Sequence, residues 1–116
     1  MGENVIYKLS KKFALRIIKL YKYLVDEKKE FVISKQLYRS ATSIGANIAE
    51  STFAQSDADF VHKLKISLKE ASETKYWLEL LFESDVLSEN EYGSLINDLN
   101  IIIGTIINIV NKIEKK

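Results

Sequence analysis

Residues Gln36–Phe53 read QLYRSATSIGANIAESTF, and their spacing decides the fold class. Leu37, Ala41, Ile44 and Ile48 recur at helical intervals and make one apolar stripe. Gln36, Arg39, Ser43, Asn47 and Glu50 recur at the same intervals, and at about 100° per residue they share an arc of roughly 80°. Ser40, Ala41, Gly45, Ala46, Ala49 and Ser51 fill the rest of the surface with little bulk, so a neighbouring backbone can come close. A solvated helix face carries long charged side chains. One Arg, one Glu and three amides or hydroxyls make a different surface. Buried polar groups need partners, so these five are expected to form a structural hydrogen-bond network, with Arg39 tied to Glu50 and Asn47.

The same period runs outward in both directions. Proline is absent and only four glycines occur in 116 residues, which argues for an all-α chain. One domain is expected over residues 1–116. A first helix is predicted over Asn4–Glu27, burying Ile6, Leu9, Phe13, Ile17, Leu20, Tyr21 and Leu24. Phe31, Val32 and Ile33 are expected to tuck under the bundle end, and Ser34 to cap a second helix ending near Phe53. Ser56, followed by acids in the first turn, should cap a third helix that runs to about Glu83. Its stripe is Phe60, Leu64, Leu68, Ala71, Leu78 and Leu81. Ser88-x-x-Glu91 is a capping box for a fourth helix reaching about Ile113. Four long helices on short connections predict an antiparallel, up-down-up-down four-helix bundle.

Composition removes several function classes. There is no cysteine, and His62 is the one histidine, so neither a thiol nor a histidine-rich metal site is available. The glutamates have no histidine at the spacing that a di-metal bundle uses. No phosphate-binding glycine loop and no nucleophile elbow occurs. Enzymatic activity, a metal and a cofactor are therefore not expected. The N-terminus lacks the apolar core of a signal peptide. The longest apolar run, Ile101–Val110, is interrupted by Gly104, Thr105 and Asn108. A cytoplasmic protein with no membrane partner is the expectation.

Two surfaces remain. Lys8, Lys11, Lys12, Arg16, Lys19 and Lys22 share an arc of roughly 140° on the first helix, and no acidic residue occurs between Lys8 and Lys22. This stripe is either a solvated face or a track for the phosphates of RNA or DNA. Aromatic interleaving is weak, because the period turns Tyr7, Phe13 and Tyr21 toward the core; Leu15 falls inside the basic face with no core role. The third helix carries a second apolar stripe, Ile66, Trp77 and Leu80, near His62, Glu73 and Tyr76. A bundle helix buries one stripe, so His62, Ile66, Trp77 and Leu80 are read as a surface for self-association. On the fourth helix an apolar arc of roughly 160° is backed by Asn97, Asn100, Asn108 and Asn111. Those amides either bond across an interface or are solvated.

The residues Gln36-x-x-Arg39-Ser40-Ala41-Thr42-Ser43-Ile44-Gly45-Ala46-Asn47-Ile48-Ala49-Glu50 resemble the signature of a bacterial family named after reading frames in intervening sequences of 23S ribosomal RNA genes. Phe60-x-His62-Lys63-Leu64-x-Ile66-x-Leu68-Lys69-Glu70 and Glu73-x-x-x-Trp77-Leu78-x-Leu80-Leu81 resemble its third helix. One departure is Ser51, where many members carry glycine or alanine. The resemblance implies a left-handed up-down bundle that assembles as a homopentamer. A similar fold belongs to the accessory protein of diversity-generating retroelements, a basic pentameric barrel that binds nucleic acid and a reverse transcriptase. Either RNA or DNA binding, or a protein-interaction scaffold with no nucleic-acid role, is consistent with that kinship.

Overall fold

A computed structural model describes residues 2–115. It contains four helices: α1 Gly2–Asp26, α2 Ile33–Ser51, α3 Asp57–Glu83 and α4 Glu89–Glu114. Cross-helix pairs fix their directions. Tyr21 meets Tyr38 and Ser10 meets Gly45 between α1 and α2. Thr74 meets Ser40 and Ser67 meets Ile44 between α2 and α3. Phe82 stacks on Tyr92 between α3 and α4, and Arg16 reaches Asp98 between α1 and α4. With Lys65 reaching Glu114 as a second contact between α3 and α4, rising numbers on one helix meet falling numbers on the next at each step along the chain, so consecutive helices run antiparallel. Among the described residues, the backbones of α1 and α3, and of α2 and α4, nowhere approach within 8 Å. The four helices therefore stand at the corners of a square, in the up-down order that short connections dictate.

The core follows the apolar stripes. Ile6, Phe13, Ile17, Leu24, Leu37, Ile44, Ile48, Leu64, Leu78, Leu81, Leu99 and Ile102 are fully enclosed. Burying such a side chain stabilises by about 1.5–3 kcal/mol, so this set supplies the main driving force. Six small polar residues are also buried: Ser10, Ser34, Ser40, Ser51, Ser67 and Thr74. Each hydroxyl is satisfied. Ser67 donates to the Ile44 carbonyl of α2 at 2.8 Å, and Thr74 donates to Ser40 Oγ at 2.9 Å. Ser10 and Ser51 each donate one turn back along their own helix. These short side chains let α2 lie close against α1 and α3. A Cβ added at Gly45 would sit 3.3 Å from Ser10 Oγ.

The helix starts divide into two kinds. Ser56 accepts from the Asp59 N–H at 3.0 Å, and Ser88 with Glu91 forms the reciprocal capping box, both as the sequence predicts. At α2 the expected Ser34 cap is not used. Ser34 lies inside the helix, buried, donating to the Glu30 carbonyl at 2.6 Å. The Glu30 carboxylate takes its place, accepting from the N–H groups of Val32 at 3.2 Å, Ile33 at 3.0 Å and Ser34. An anion at a helix N-terminus also meets the favourable end of the dipole. Phe31 and Val32 do not tuck under the bundle: both are exposed, and only Ile33 joins the core. The helix ends hold another surprise. α1 and α3 are closed by Lys29 at φ 55° and Asp85 at φ 65°, left-handed positions that glycine usually fills.

Substitutions at two positions test these features. Ser40→Val places branched bulk in the α2–α3 seam and removes one of the two acceptors of Thr74, the other being the Glu70 carbonyl; it should cost about 2 kcal/mol in urea melts, whereas Ser40→Ala should cost about 1 kcal/mol. Glu30→Gln weakens a charged cap and should cost about 1 kcal/mol at neutral pH. Burial raises the Glu30 pKa, but the backbone donors of Ser34, Ile33 and Val32 together outweigh it, and the carboxyl ends below its ordinary value. Its contribution is therefore present above the ordinary carboxylate range and lost as pH falls through the lowered value. The difference between wild type and Glu30→Gln should shrink progressively in melts taken below the ordinary carboxylate range.

Candidate nucleic-acid interface

The basic stripe of α1 lies on the side of the helix opposite Ile6, Phe13, Ile17 and Leu24. Lys8, Lys11, Lys12, Lys19 and Lys22 are exposed, and none pairs with an acid among the described residues. Arg16 does not belong with them. Its guanidinium turns to α4, giving Nη1 to Asp98 Oδ2 at 2.7 Å and Nη2 to Ser94 Oγ at 3.0 Å. It serves as a clasp between α1 and α4, and five lysines remain outward. Leu15 lies among them, 55% exposed. Tyr7 corrects the sequence reading: it is exposed at the edge of the stripe, not turned to the core, and the Lys11 ammonium lies 5.7 Å from its ring centre. Tyr23 is exposed at the other end.

The polar stripe of α2 faces α3. Arg39 pairs with Glu70 at 3.4 Å and with Glu73, and Glu73 also accepts from the Trp77 indole at 3.0 Å. Glu50 pairs with Lys63 at 2.9 Å. The expected tie of Arg39 to Glu50 and Asn47 is absent, because those residues lie two and three turns further along the same helix, whereas the carboxylates of α3 stand directly across. Ser43 and Asn47 bond back to carbonyls of α2, at Arg39 and Ser43 respectively. Gln36 is exposed and takes no part. The stripe is an outer clamp between α2 and α3, not a closed network. The Trp77 donor, followed by Arg39, holds the Glu73 carboxyl below its ordinary range.

Ile66, Trp77 and Leu80 are half-buried within the chain, and His62 is exposed. The clamp and the Tyr76 ring, 5.1 Å from Trp77 centre to centre, cover part of that stripe. A larger uncovered surface lies on α4. Asn97, Asn100, Gly104, Asn108 and Asn111 all face outward, with Ile101 and Ile107 among them. No charge occurs from Leu99 to Asn111. The most apolar 18 residues of α4 average a hydropathy of 1.5, yet 28% of them are buried. By length and composition alone α4 could cross a membrane. Counting uninterrupted runs missed this, because Gly104, Thr105 and Asn108 lower the average only slightly. Among the described residues, no three acidic or histidine side chains are grouped to hold a metal ion.

The sequence profile of the 23S rRNA-intervening sequence proteins matches residues 2–108. The chain belongs to that family. A crystal structure from Bacteroides thetaiotaomicron, a protein of unknown function from the S23 ribosomal protein family, superposes with a TM-score of 0.94. It is 53% identical, with 96% of this chain and 99% of that chain covered. No curated protein matches the chain. Within the 23S rRNA-intervening sequence family fold, the Arg39 clamp is a surface feature, and exposed ion pairs contribute little. Arg39→Ala should therefore cost less than about 1 kcal/mol in thermal melts. A loss of several kcal/mol would mean that the clamp is far better shielded than its geometry indicates.

Proposed function

We propose that the chain is a non-catalytic subunit of a homo-oligomer, a pentamer by its family resemblance, that binds RNA or DNA through α1. One observation carries the binding reading: five exposed lysines share a helix face, with no acidic residue between Lys8 and Lys22 and no acidic partner among the described residues. A face kept for solvation alone would normally mix its signs, since intrahelical acid–base pairs stabilise a helix. The family name, which refers to 23S rRNA intervening sequences, supports RNA as the first ligand to try.

The uncharged outer face of α4 supports self-association. Water-facing helix surfaces carry charge; this one offers amides, isoleucines and a glycine with open space beside it. Ile66, Trp77, Leu80 and His62 on α3 would widen the contact. Repetition of α1 around a ring multiplies a weak site by avidity. A second reading is a scaffold for a protein partner. It draws on the formal net charge of +1 and on Leu15 exposed amid the lysines.

Filter binding against structured ribosomal RNA at two salt concentrations separates the readings. The proposal expects affinity at low salt that falls steeply as salt rises, and its loss in the variant Lys11→Glu/Lys12→Glu/Lys19→Glu. Flat salt dependence, or no binding at low salt, removes it. Ile101→Glu should leave the fold intact, because that side chain is 49% exposed in the chain, and should lower the mass seen by light scattering. A monomeric wild type at micromolar concentration contradicts the oligomer.

A further inference from the structure

The surface around Tyr7 says which form of nucleic acid suits this face. A groove of about 270 Å³ runs between α1 and α2, with Tyr7 and Lys11 on its α1 wall and Gly45, Ala46 and Ala49 on its α2 side. Tyr7 is 37% exposed. Lys11 holds its ammonium 5.7 Å from the centre of that ring, and Lys8 and Lys12 directly follow Tyr7 and Lys11 in the chain, both exposed and without an acidic partner among the described residues. At the far end of the stripe, Tyr23 is exposed next to Lys22.

Duplexes and single strands ask for different surfaces. A duplex hides its bases in the stack and offers phosphates along two ridges, so lysines alone suffice. An unpaired strand exposes bases, and proteins hold it by stacking them on aromatic rings while cations follow the backbone. Here ring and cation form one unit. A phosphate drawn to Lys11 leaves its own base within reach of the Tyr7 ring, and the small side chains opposite leave the groove open to a flat ring. The lysine spacing agrees: Lys8, Lys11 and Lys12 form one cluster and Lys19 and Lys22 another. Arg16 is withdrawn to Asp98, which leaves a gap in the line of charge where Leu15 is exposed. An uninterrupted duplex ridge would cross that gap unneutralised, whereas a flexible strand can bend its backbone from one cluster to the next.

We infer that the α1–α2 groove at Tyr7 and Lys11 is a base-stacking subsite and that the α1 face takes an unpaired polynucleotide strand in preference to a duplex. This rests on the reading of α1 as a nucleic-acid surface. The test is fluorescence anisotropy of the full chain with a labelled RNA 12-mer, free and annealed to its complement, at two salt concentrations. The free strand should bind at least about tenfold more tightly than the duplex, as stacking of one or two bases allows. Tyr7→Leu should weaken the strand about five- to tenfold, leave duplex affinity unchanged and keep the salt slope, because no charge is removed. Tyr7→Phe, which preserves the ring, should bind like wild type. Lys11→Gln should weaken both forms and reduce the strand's salt slope by about 0.7. Equal affinity for strand and duplex, or equal losses on both in Tyr7→Leu, overturns the stacking subsite while leaving lysine-mediated binding standing. Binding of neither form at low salt overturns the nucleic-acid reading itself, and the subsite with it.

Discussion

The close approach of α2 to both of its neighbours is the constraint on which this bundle depends. Gly45 lies tight against Ser10 on one side, and Ser40 and Ile44 meet Thr74 and Ser67 on the other, so added bulk at these points makes a neighbour shift. Hydroxyls suit such a seam. They are short enough to permit contact, and each can satisfy itself on a carbonyl or a second hydroxyl. The net value of any one bond is only about 1 kcal/mol, but leaving a buried hydroxyl unpaired would cost about as much or more. The seam therefore sets register more than strength. Strength comes from the leucines, isoleucines and phenylalanine that the seam brings together.

That arrangement also distributes the surface. With α2 drawn in between its neighbours, its polar residues reach across to α3 and are used up there: Arg39 on Glu70 and Glu73, Glu50 on Lys63. On α1, Arg16 is similarly consumed by Asp98. Among the described residues, the lysines of α1 have no acidic partner, and the outer face of α4 carries no charge from Leu99 to Asn111. These two surfaces carry the proposed functions, one for a polyanion and one for copies of the same chain. The residues that first draw attention in the sequence, Gln36 to Glu50, mark the family and hold the fold.

The sequence made the helices legible because each has an apolar stripe at a single period. The caps of α3 and α4 were legible because donor and acceptor lie within three residues. The cap of α2 was hidden, since a glutamate upstream of the helix supplies it while the nearby serine, the obvious candidate, is buried. The closures at Lys29 and Asp85 were hidden too, because no glycine marks them. Partners across helices were beyond reach: Arg39 could be placed on a face, but choosing α3 carboxylates over Glu50 requires the register of two helices. Tyr7 was misplaced for a related reason. It lies at the boundary of the stripe, where the period alone does not say how far the neighbouring helix extends.

The account assigns ligand contact to α1 and structural duty to the outer stripe of α2. Amide chemical shifts of the labelled protein, followed while an unpaired RNA strand is added at low salt, test that division directly. The account predicts that the changes concentrate between Tyr7 and Lys22 and at Gly45, Ala46 and Ala49 across the groove, while Arg39, Glu50, Lys63 and Glu73 stay in place. Changes centred on Arg39, Glu50 and their α3 partners, with α1 unmoved, would contradict it.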